Sequence, residues 1–285
     1  MQPLVTTDWL AENLDDPQLR VFECTVFIQP SADGGFRPVS GREEWSKGHI
    51  PGSGFADLTE GLADTSHALP FMMPSAEQFA EAMGRYGVGP GTHVVLYDRM
   101  LNMWAARVWW MLRVFGFDDA AVLSGGWRKW TADGREVSTE LPAYSQAVFE
   151  PRSRPELIAT KDDVRASIES GATCLINALT PEEHRGDVSM YARPGHIPGS
   201  VNVSARDLLN RSTQEYLSLD ELRALVEPTG ALDSARVVTY CGGGIAASSD
   251  AFILTLLGQE NVAVYDGSLL EWAADPELPM STEVD

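Results

Sequence analysis

Residues 237–244 read Val-Val-Thr-Tyr-Cys-Gly-Gly-Gly, and residues 94–98 read Val-Val-Leu-Tyr-Asp. In both stretches a short apolar run ends at a side chain that can carry a negative charge, Asp98 in the first and Cys241 in the second. This likeness predicts that the chain contains two copies of one fold. The copies differ at one decisive position, where only the second has a possible nucleophile.

Further anchors repeat at nearly constant spacing. The two decisive positions are 143 residues apart, and the helix-start pair Ser75 and Gln78 recurs 143 residues later. The string GHIPGS occurs at residues 48–53 and again at residues 195–200, a spacing of 147. Small changes in spacing are expected where loops gained or lost residues. The chain is therefore predicted to be a tandem duplication.

Each copy predicts helices that alternate with short apolar strands. This order is typical of an α/β fold with a mainly parallel sheet and helices on both faces. The predicted strands cover residues 20–26, 93–97, 120–123, 174–177, 236–240 and 262–265. The predicted helices cover residues 8–14, 76–86, 105–115, 219–227 and 245–257, with a further one around Trp127 and Trp130.

The length of 285 residues fits two domains, each large enough to bury its own core. We expect a first domain at residues 1–140 and a second at residues 157–285. Residues 141–156 are predicted to be a linker, because they contain three prolines and little periodicity.

The formal net charge of −20 argues against nucleic acid as a partner, since phosphate binding requires clustered Lys and Arg. No apolar run approaches the roughly 18 residues that would span a bilayer, so we expect no membrane segment. Residues 1–8 lack the basic and apolar regions of a signal peptide, and the expected location is the cytoplasm.

The three cysteines show no C-x-x-C spacing, so neither a disulfide framework nor a zinc site is predicted. Cys24 and Cys174 lie in segments predicted to be strands, where buried packing is expected. His49 and His196 belong to the two GHIPGS strings and are far from any ligand cluster in sequence. We therefore expect no metal and no organic cofactor.

Cys241 has a different setting, because it directly follows a predicted strand and precedes three glycines and a helix. In a parallel α/β sheet, ligands bind at the carboxyl ends of the strands. Glycines allow the backbone N–H groups to turn inward around an anion, and the helix dipole adds to the attraction. Both effects favour the thiolate, so Cys241 is the predicted nucleophile. The alternative is a buried cysteine beside a tight turn.

These features together resemble a known family. The chain has HIPG in both halves, Ala-Arg-Val-Trp-Trp at residues 106–110 and Cys-Gly-Gly-Gly-Ile-Ala-Ala at residues 241–247. The combination is similar to the two-domain rhodanese family, the thiosulfate and 3-mercaptopyruvate sulfurtransferases, over nearly the whole chain. The resemblance implies two tandem rhodanese-like domains. The first, with Asp98 at the cysteine position, would be non-catalytic, and the second would be catalytic.

The resemblance also implies a reaction. Cys241 would take the outer sulfur of a small anionic donor, become a persulfide, and pass the sulfur to cyanide or a thiol acceptor. The backbone amides after the cysteine would hold the persulfide anion. Two arginines would bind the donor, since guanidinium offers planar, permanently charged donors. The residues so implied to bind substrate are Arg185, Arg193, Gly242, Gly243, Gly244, Ile245 and Ala246.

Several positions depart from the family pattern and leave the sulfur donor open. Thiosulfate-using members often have cations just after the cysteine, where this chain has Gly242 and Gly243. Mercaptopyruvate-using members usually have Ser two residues after the cysteine, supported by Asp and His. Here Gly243 takes the Ser position, Phe71 takes the His position and only Asp57 remains. His67 lies four residues before Phe71, and Asn177 stands where the family commonly has Asp.

Three other interpretations of the same sequence are possible. Gly242-x-Gly244-x-x-Ala247 matches a dinucleotide-binding pattern, with Asp266 following, but only 19 residues remain after Asp266 for further strands. A cysteine-dependent phosphatase of this fold would need an arginine where Ala247 stands. Rhodanese-like domains can also serve as binding or sulfur-carrier modules, although the intact Cys241 favours catalysis.

Overall fold

The computed structural model describes residues 1–31 and 36–283. These residues form two compact units, each with its own sheet. Unit 1 comprises Met1–Ser153 and Arg211–Glu215, and unit 2 comprises Arg154–Asn210 and Tyr216–Asp285.

Unit 1 contains a parallel sheet with the strand order β1-β7-β6-β2-β5. A separate antiparallel hairpin is formed by β3 and β4. The strands are β1 (Leu4–Val5), β2 (Leu19–Glu23), β3 (Val26–Pro30), β4 (Phe36–Ser40), β5 (Gly54–Phe55), β6 (His93–Tyr97) and β7 (Ala120–Leu123). The helices are α1 (Thr7–Asn13), α2 (Arg42–Lys47), α3 (Ala76–Arg85), α4 (Met103–Val114) and α5 (Gly126–Ala132).

Unit 2 repeats this topology with the strand order β8-β12-β11-β9-β10, again parallel. The strands are β8 (Ile158–Ala159), β9 (Cys174–Asn177), β10 (Ser200–Asn202), β11 (Val237–Tyr240) and β12 (Val262–Tyr265). The helices are α6 (Lys161–Ser170), α7 (Pro181–Arg185), α8 (Leu219–Val226), α9 (Ile245–Leu256) and α10 (Ser268–Trp272), with short 3₁₀ turns at Pro155–Leu157 and Glu227–Thr229. The predicted α/β duplication is therefore confirmed.

The repeated GHIPGS string has a structural cause in both units. In unit 1 the Tyr97 hydroxyl at the end of β6 accepts a hydrogen bond from the Ile50 amide at 3.2 Å. In unit 2 the Tyr240 hydroxyl at the end of β11 accepts one from the Ile197 amide at 3.0 Å. Because each tyrosine is fully buried, this bond satisfies a hydroxyl that would otherwise be costly to bury. The string thus fixes a turn against the central strand.

Two predicted segments differ from the structure. The strand predicted at residues 20–26 ends at Glu23, and the chain then enters the hairpin, which the sequence analysis did not predict. The predicted linker, residues 141–156, lacks regular structure as far as residue 154 but is packed on unit 1. The Tyr144 hydroxyl donates to the Gly52 carbonyl at 2.5 Å, and the Arg152 amide donates to the Phe115 carbonyl at 2.8 Å.

The two remaining cysteines follow the packing expectation to different degrees. Cys24 is fully buried, and burial raises the pKa of its thiol. Cys174, at the start of β9, is only half-buried, which corrects the expectation of full burial. Burial still raises the pKa of the Cys174 thiol, so neither cysteine is favoured as a thiolate.

Candidate active site

Cys241 lies at the carboxyl end of β11, between that strand and the first turn of α9. Its side chain is buried, with 2% of its surface exposed. Gly244, the residue before the helix, has φ +76°, a left-handed conformation that favours glycine. The strand, the glycines and the helix start therefore meet at Cys241, as the sequence predicted.

Ser268 holds this loop in place from the start of α10. Its hydroxyl oxygen accepts the Cys241 amide at 3.1 Å and the Gly244 amide at 3.2 Å, and its hydroxyl donates to the Tyr265 carbonyl at 2.8 Å. Ser268 is fully buried with φ +47°, a strained conformation for a residue with a side chain. The sequence analysis missed this residue. The repeat offered one signal, which is the glycine at the equivalent position of unit 1. That residue, Gly126, has φ +49°, so both positions have a backbone conformation that favours glycine.

The bond to Gly244 corrects part of the predicted anion site. The Gly244 amide already has a partner in Ser268, so it is not available to sulfur. Within the described part of the chain, the amides of Gly242, Gly243, Ile245 and Ala246 make no hydrogen bond. The first amides of a helix have no intrahelical acceptor and favour an anion. Four of the five predicted amides therefore remain available.

The equivalent loop of unit 1 shows how a ring of inward-facing backbone amides holds an anion. Both Asp98 oxygens accept amides: Oδ1 from Met100 at 2.8 Å and Asn102 at 3.1 Å, and Oδ2 from Trp104 and Ala105, each at 3.0 Å. Asp98 is 2% exposed, and burial raises the pKa of its carboxyl while the four amide bonds oppose that shift. The unit 1 loop thus carries its own anion.

Arg193 is placed differently from what the family resemblance implied. Its guanidinium donates to four backbone carbonyls at and beyond the end of α10: Ala273 at 3.0 Å, Leu278 at 2.6 Å, Trp272 at 3.1 Å and Asp275 at 2.6 Å. A guanidinium has five N–H donors, and these bonds use most of them. We therefore replace the expected substrate contact of Arg193 with a structural role.

Arg185 ends α7 and has a more open environment. Its side chain is 42% exposed, and its Nε donates to Asp187 Oδ2 at 3.0 Å. A second carboxylate, on Glu182, lies 3.7 Å from Nη2. Exposed ion pairs of this kind contribute little energy and exchange readily for another anion. Arg185 therefore retains the prediction of a substrate contact.

His184, next to Arg185, links α7 to the second GHIPGS turn. Its ring stacks on His196 with centroids 3.8 Å apart, and Asn177 Nδ2 lies 3.1 Å from its Nδ1. Burial, together with the charges of His196 and Arg185, lowers the pKa of His184 to about 4. A neutral His184 can accept a hydrogen bond from Asn177, which gives a structural reason for this departure from the family pattern.

Asp57, Phe71 and His67 are the unit 1 residues that the sequence analysis compared with the family pattern. The Asp57 carboxylate accepts hydrogen bonds from Ser40 at 2.7 Å and from the Thr59 hydroxyl at 2.7 Å. Phe71 packs edge-on against Trp104, and His67 is exposed.

Among residues 1–31 and 36–283, no group of three or more His, Cys, Asp or Glu side chains could hold a metal ion. In the same ranges, no helix is long and apolar enough to cross a membrane.

Comparison with known proteins decides the family. Residues 6–133 and residues 160–275 each match the pattern of the Rhodanese-like domain. The chain belongs to the rhodanese family. Both matches cover most of the unit in which they lie, which agrees with the duplicated sheets.

Similar proteins of this family have names that refer to sulfur transfer. A 3-mercaptopyruvate sulfurtransferase of Escherichia coli (strain K12) is 33% identical over 97% of this chain and 96% of the relative. A thiosulfate sulfurtransferase of Mus musculus is 34% identical over 98% and 95%, respectively.

A crystal structure of the Escherichia coli 3-mercaptopyruvate sulfotransferase superposes with a TM-score of 0.82 and 31% identity, and the match covers 94% of this chain and 99% of that chain. These findings confirm the predicted fold class and the prediction of a rhodanese-type sulfurtransferase.

Proposed function

We propose that Cys241 carries sulfur from a small anionic donor, 3-mercaptopyruvate or thiosulfate, to a thiol or cyanide acceptor. The Cys241 thiolate attacks the donor sulfur, a new S–S bond forms, and the donor's own bond to that sulfur breaks. The bonding electrons leave with pyruvate enolate or with sulfite. The acceptor then attacks the outer sulfur of the persulfide, and the Cys241 thiolate is regenerated.

This proposal rests on one observation: among the described residues, the backbone amides have an acceptor within the loop of unit 1 but not within the loop of unit 2. In unit 1 the ring is filled by the Asp98 carboxylate, whereas the Cys241 loop has four amides without a partner in the described chain. A persulfide anion needs several convergent donors in a buried site, and preorganised amides supply them without reorganisation. The unit 2 loop is suited to hold an anion that arrives with the donor.

Arg185 is the proposed contact for the donor's anionic group. A side chain that is 42% exposed can exchange Asp187 and Glu182 for a carboxylate or sulfonate-like group. Such a local cation is needed in a chain with a net charge of −20, because the overall field repels anions. A cytoplasmic location is part of the proposal, since all three cysteines are free and the reaction requires a reduced thiol.

Steady-state turnover tests this proposal with a matched pair of variants. Sulfur transfer to cyanide, measured as thiocyanate, should be lost on Cys241→Ser by a factor of about 10³ or more, because a hydroxyl cannot form a persulfide. Cys174→Ser is the matched control, since this half-buried thiol lies on the same sheet, and it should retain wild-type rates.

Two outcomes would change the proposal. Wild-type protein that uses neither donor would contradict it. Protein that is loaded with sulfur by either donor but passes none to cyanide or a thiol would instead be a sulfur carrier.

A further inference from the structure

Tyr191 lies in the segment between α7 and the second GHIPGS turn, and its ring packs against the buried core of unit 2. Its hydroxyl end lies against Gly242, the residue directly after Cys241. A Cβ atom built on Gly242 would be 2.2 Å from the Tyr191 hydroxyl oxygen and 2.9 Å from the adjoining ring carbon. No side chain fits at residue 242 while Tyr191 holds this position.

This contact explains why glycine stands at residue 242. Its φ lies outside the left-handed region, unlike that of Gly244, so backbone strain does not require glycine there. Space is the reason: the tyrosine takes the volume that a side chain at residue 242 would need. A cation directly after the cysteine is therefore excluded by the phenol.

The Tyr191 hydroxyl is an available hydrogen-bond donor. Among the described residues it has no hydrogen-bond partner, although its backbone amide and carbonyl both bond with Ser189. Burial and the nearby negative charges of Cys241 and Glu183 raise the pKa of the Tyr191 phenol. The hydroxyl therefore keeps its proton at neutral pH and can donate it to a ligand at Cys241.

We propose that Tyr191 determines donor specificity by giving the Cys241 site a neutral hydrogen-bond donor in the place of a cation. This inference rests on the proposed function. A phenol O–H stabilises one anionic group, whereas a dianion such as thiosulfate requires positive charge to offset its desolvation. The site accordingly favours a singly charged thiol carboxylate, of which 3-mercaptopyruvate is an example, over thiosulfate.

Tyr191→Phe isolates the hydroxyl, because the ring and its packing are kept. We expect kcat/KM for 3-mercaptopyruvate to fall about tenfold or more, as when a buried hydrogen bond to a charged group is lost. The value for thiosulfate should change less than threefold, and the melting temperature should stay within the error of the measurement. Since the phenol keeps its proton, the ratio of wild type to variant should be constant from pH 7 to pH 9.

Tyr191→Ala with Gly242→Lys provides the converse test. Removal of the ring makes room for the lysine, whose charge should favour the dianion. The preference for 3-mercaptopyruvate over thiosulfate should decrease at least tenfold in this double variant, measured on protein whose melting curve shows a folded state.

The results separate this inference from the proposed function. Wild-type activity with unchanged kinetics in Tyr191→Phe would overturn the role of Tyr191 alone. Equal losses with both donors would also overturn it, because they would show an effect without selectivity. A wild type that turns over neither donor would overturn the proposed function and this inference with it.

Discussion

The Asp98 loop and the Cys241 loop are two versions of one design. In both, the carbonyl of the decisive residue accepts an amide from the last helix of the unit at 3.0 Å, from Trp127 in unit 1 and from Leu269 in unit 2. The Asp98 carboxylate then fills its own ring with four amide bonds. The Cys241 thiol leaves four amides open. One residue thus decides whether the loop is closed by its own anion or open to one.

A second difference concerns how the loops are held. Ser268 adds bonds to the Cys241 and Gly244 amides, whereas its counterpart Gly126 has no side chain to do so. Both residues have positive φ, +47° and +49°. A loop without an internal anion needs another acceptor for its amides, and the hydroxyl supplies it at the expense of backbone strain. In unit 2 the strained backbone of Ser268 therefore lowers stability, and the anion site stays open.

The largest effect on stability is expected from emptying the unit 1 ring. Asp98→Ala leaves four amides, three of them buried, without an acceptor, which should lower the free energy of unfolding by about 3 kcal/mol. Asp98→Asn should lower the free energy of unfolding less than Asp98→Ala does, because its amide oxygen still accepts hydrogen bonds whereas its amide nitrogen cannot. Urea denaturation measures both. A loss below about 0.5 kcal/mol for Asp98→Ala would show that the ring does not depend on its anion.

The next effect concerns Asp250 on α9, which occupies the place of Val108 on α4. Both oxygens of this buried carboxyl lack a partner within the described residues. Asp250 lines a small cavity together with six apolar side chains: Ile176, Val203, Leu208, Val226, Ile253 and Leu254. Burial raises the pKa of Asp250 well above its ordinary value, so the folded state favours the protonated form. Stability is therefore lost as the pH rises above the ordinary value, about 4.

Asp250→Val copies unit 1 at this position and removes that loss. We expect the free energy of unfolding at pH 7 to rise by about 2 kcal/mol, with a smaller gain near pH 3, where the unfolded carboxyl is also protonated. Denaturation at the two pH values measures the difference. Destabilisation at pH 7 would contradict the inference that the carboxyl is unpartnered.

A smaller effect is expected at Ser268. Ser268→Gly and Ser268→Ala both remove the acceptor of the Cys241 and Gly244 amides, so both should lower kcat about tenfold, a cost of about 1.4 kcal/mol. Glycine tolerates φ +47° and alanine does not, so the glycine variant should be more stable by about 1 kcal/mol. Wild-type kcat in both variants would remove Ser268 from the site.

The smallest effect concerns the aromatic ring that stacks on the histidine of each GHIPGS string. In unit 1 Trp45 stacks on His49, and in unit 2 His184 stacks on His196. Because burial lowers the pKa of His184 to about 4, stability is complete above pH 6.5 and is lost as the pH falls from 6.5 towards 4. His184→Phe should reduce this acid-side loss by about 1 kcal/mol, measured by denaturation at pH 7 and pH 4.5. The same loss in both proteins would assign it to other groups.

The sequence predicted most of the fold because the repeat and the short apolar strands are local signals. The strands at residues 93–97, 120–123, 174–177 and 262–265 have the predicted bounds in the structure. The β3–β4 hairpin was missed because its sequence lacks a buried face: Ile28 and Phe36 are exposed, and Pro30 and Pro38 interrupt the pattern.

The site was predictable only in part. Cys241 and its glycines are adjacent in sequence, so their arrangement could be inferred. Ser268 reaches the loop from 27 residues away, and a contact of that kind has no local signature. Arg193 shows the opposite problem, since a guanidinium has the same sequence appearance whether it binds a substrate or four carbonyls. Tyr191 could not be predicted from the sequence, because only the structure shows that its hydroxyl occupies the space that a side chain at residue 242 would need.

The most direct test of the comparison is the location of transferred sulfur. The protein is incubated with 3-mercaptopyruvate or with thiosulfate, digested without reductant, and its cysteine peptides are analysed by mass spectrometry. We predict one added sulfur on the peptide that contains Cys241 with at least one of the two donors, and none on those that contain Cys24 or Cys174. Sulfur on Cys24 or Cys174, or no added sulfur from either donor, would contradict the assignment of sulfur to the open loop.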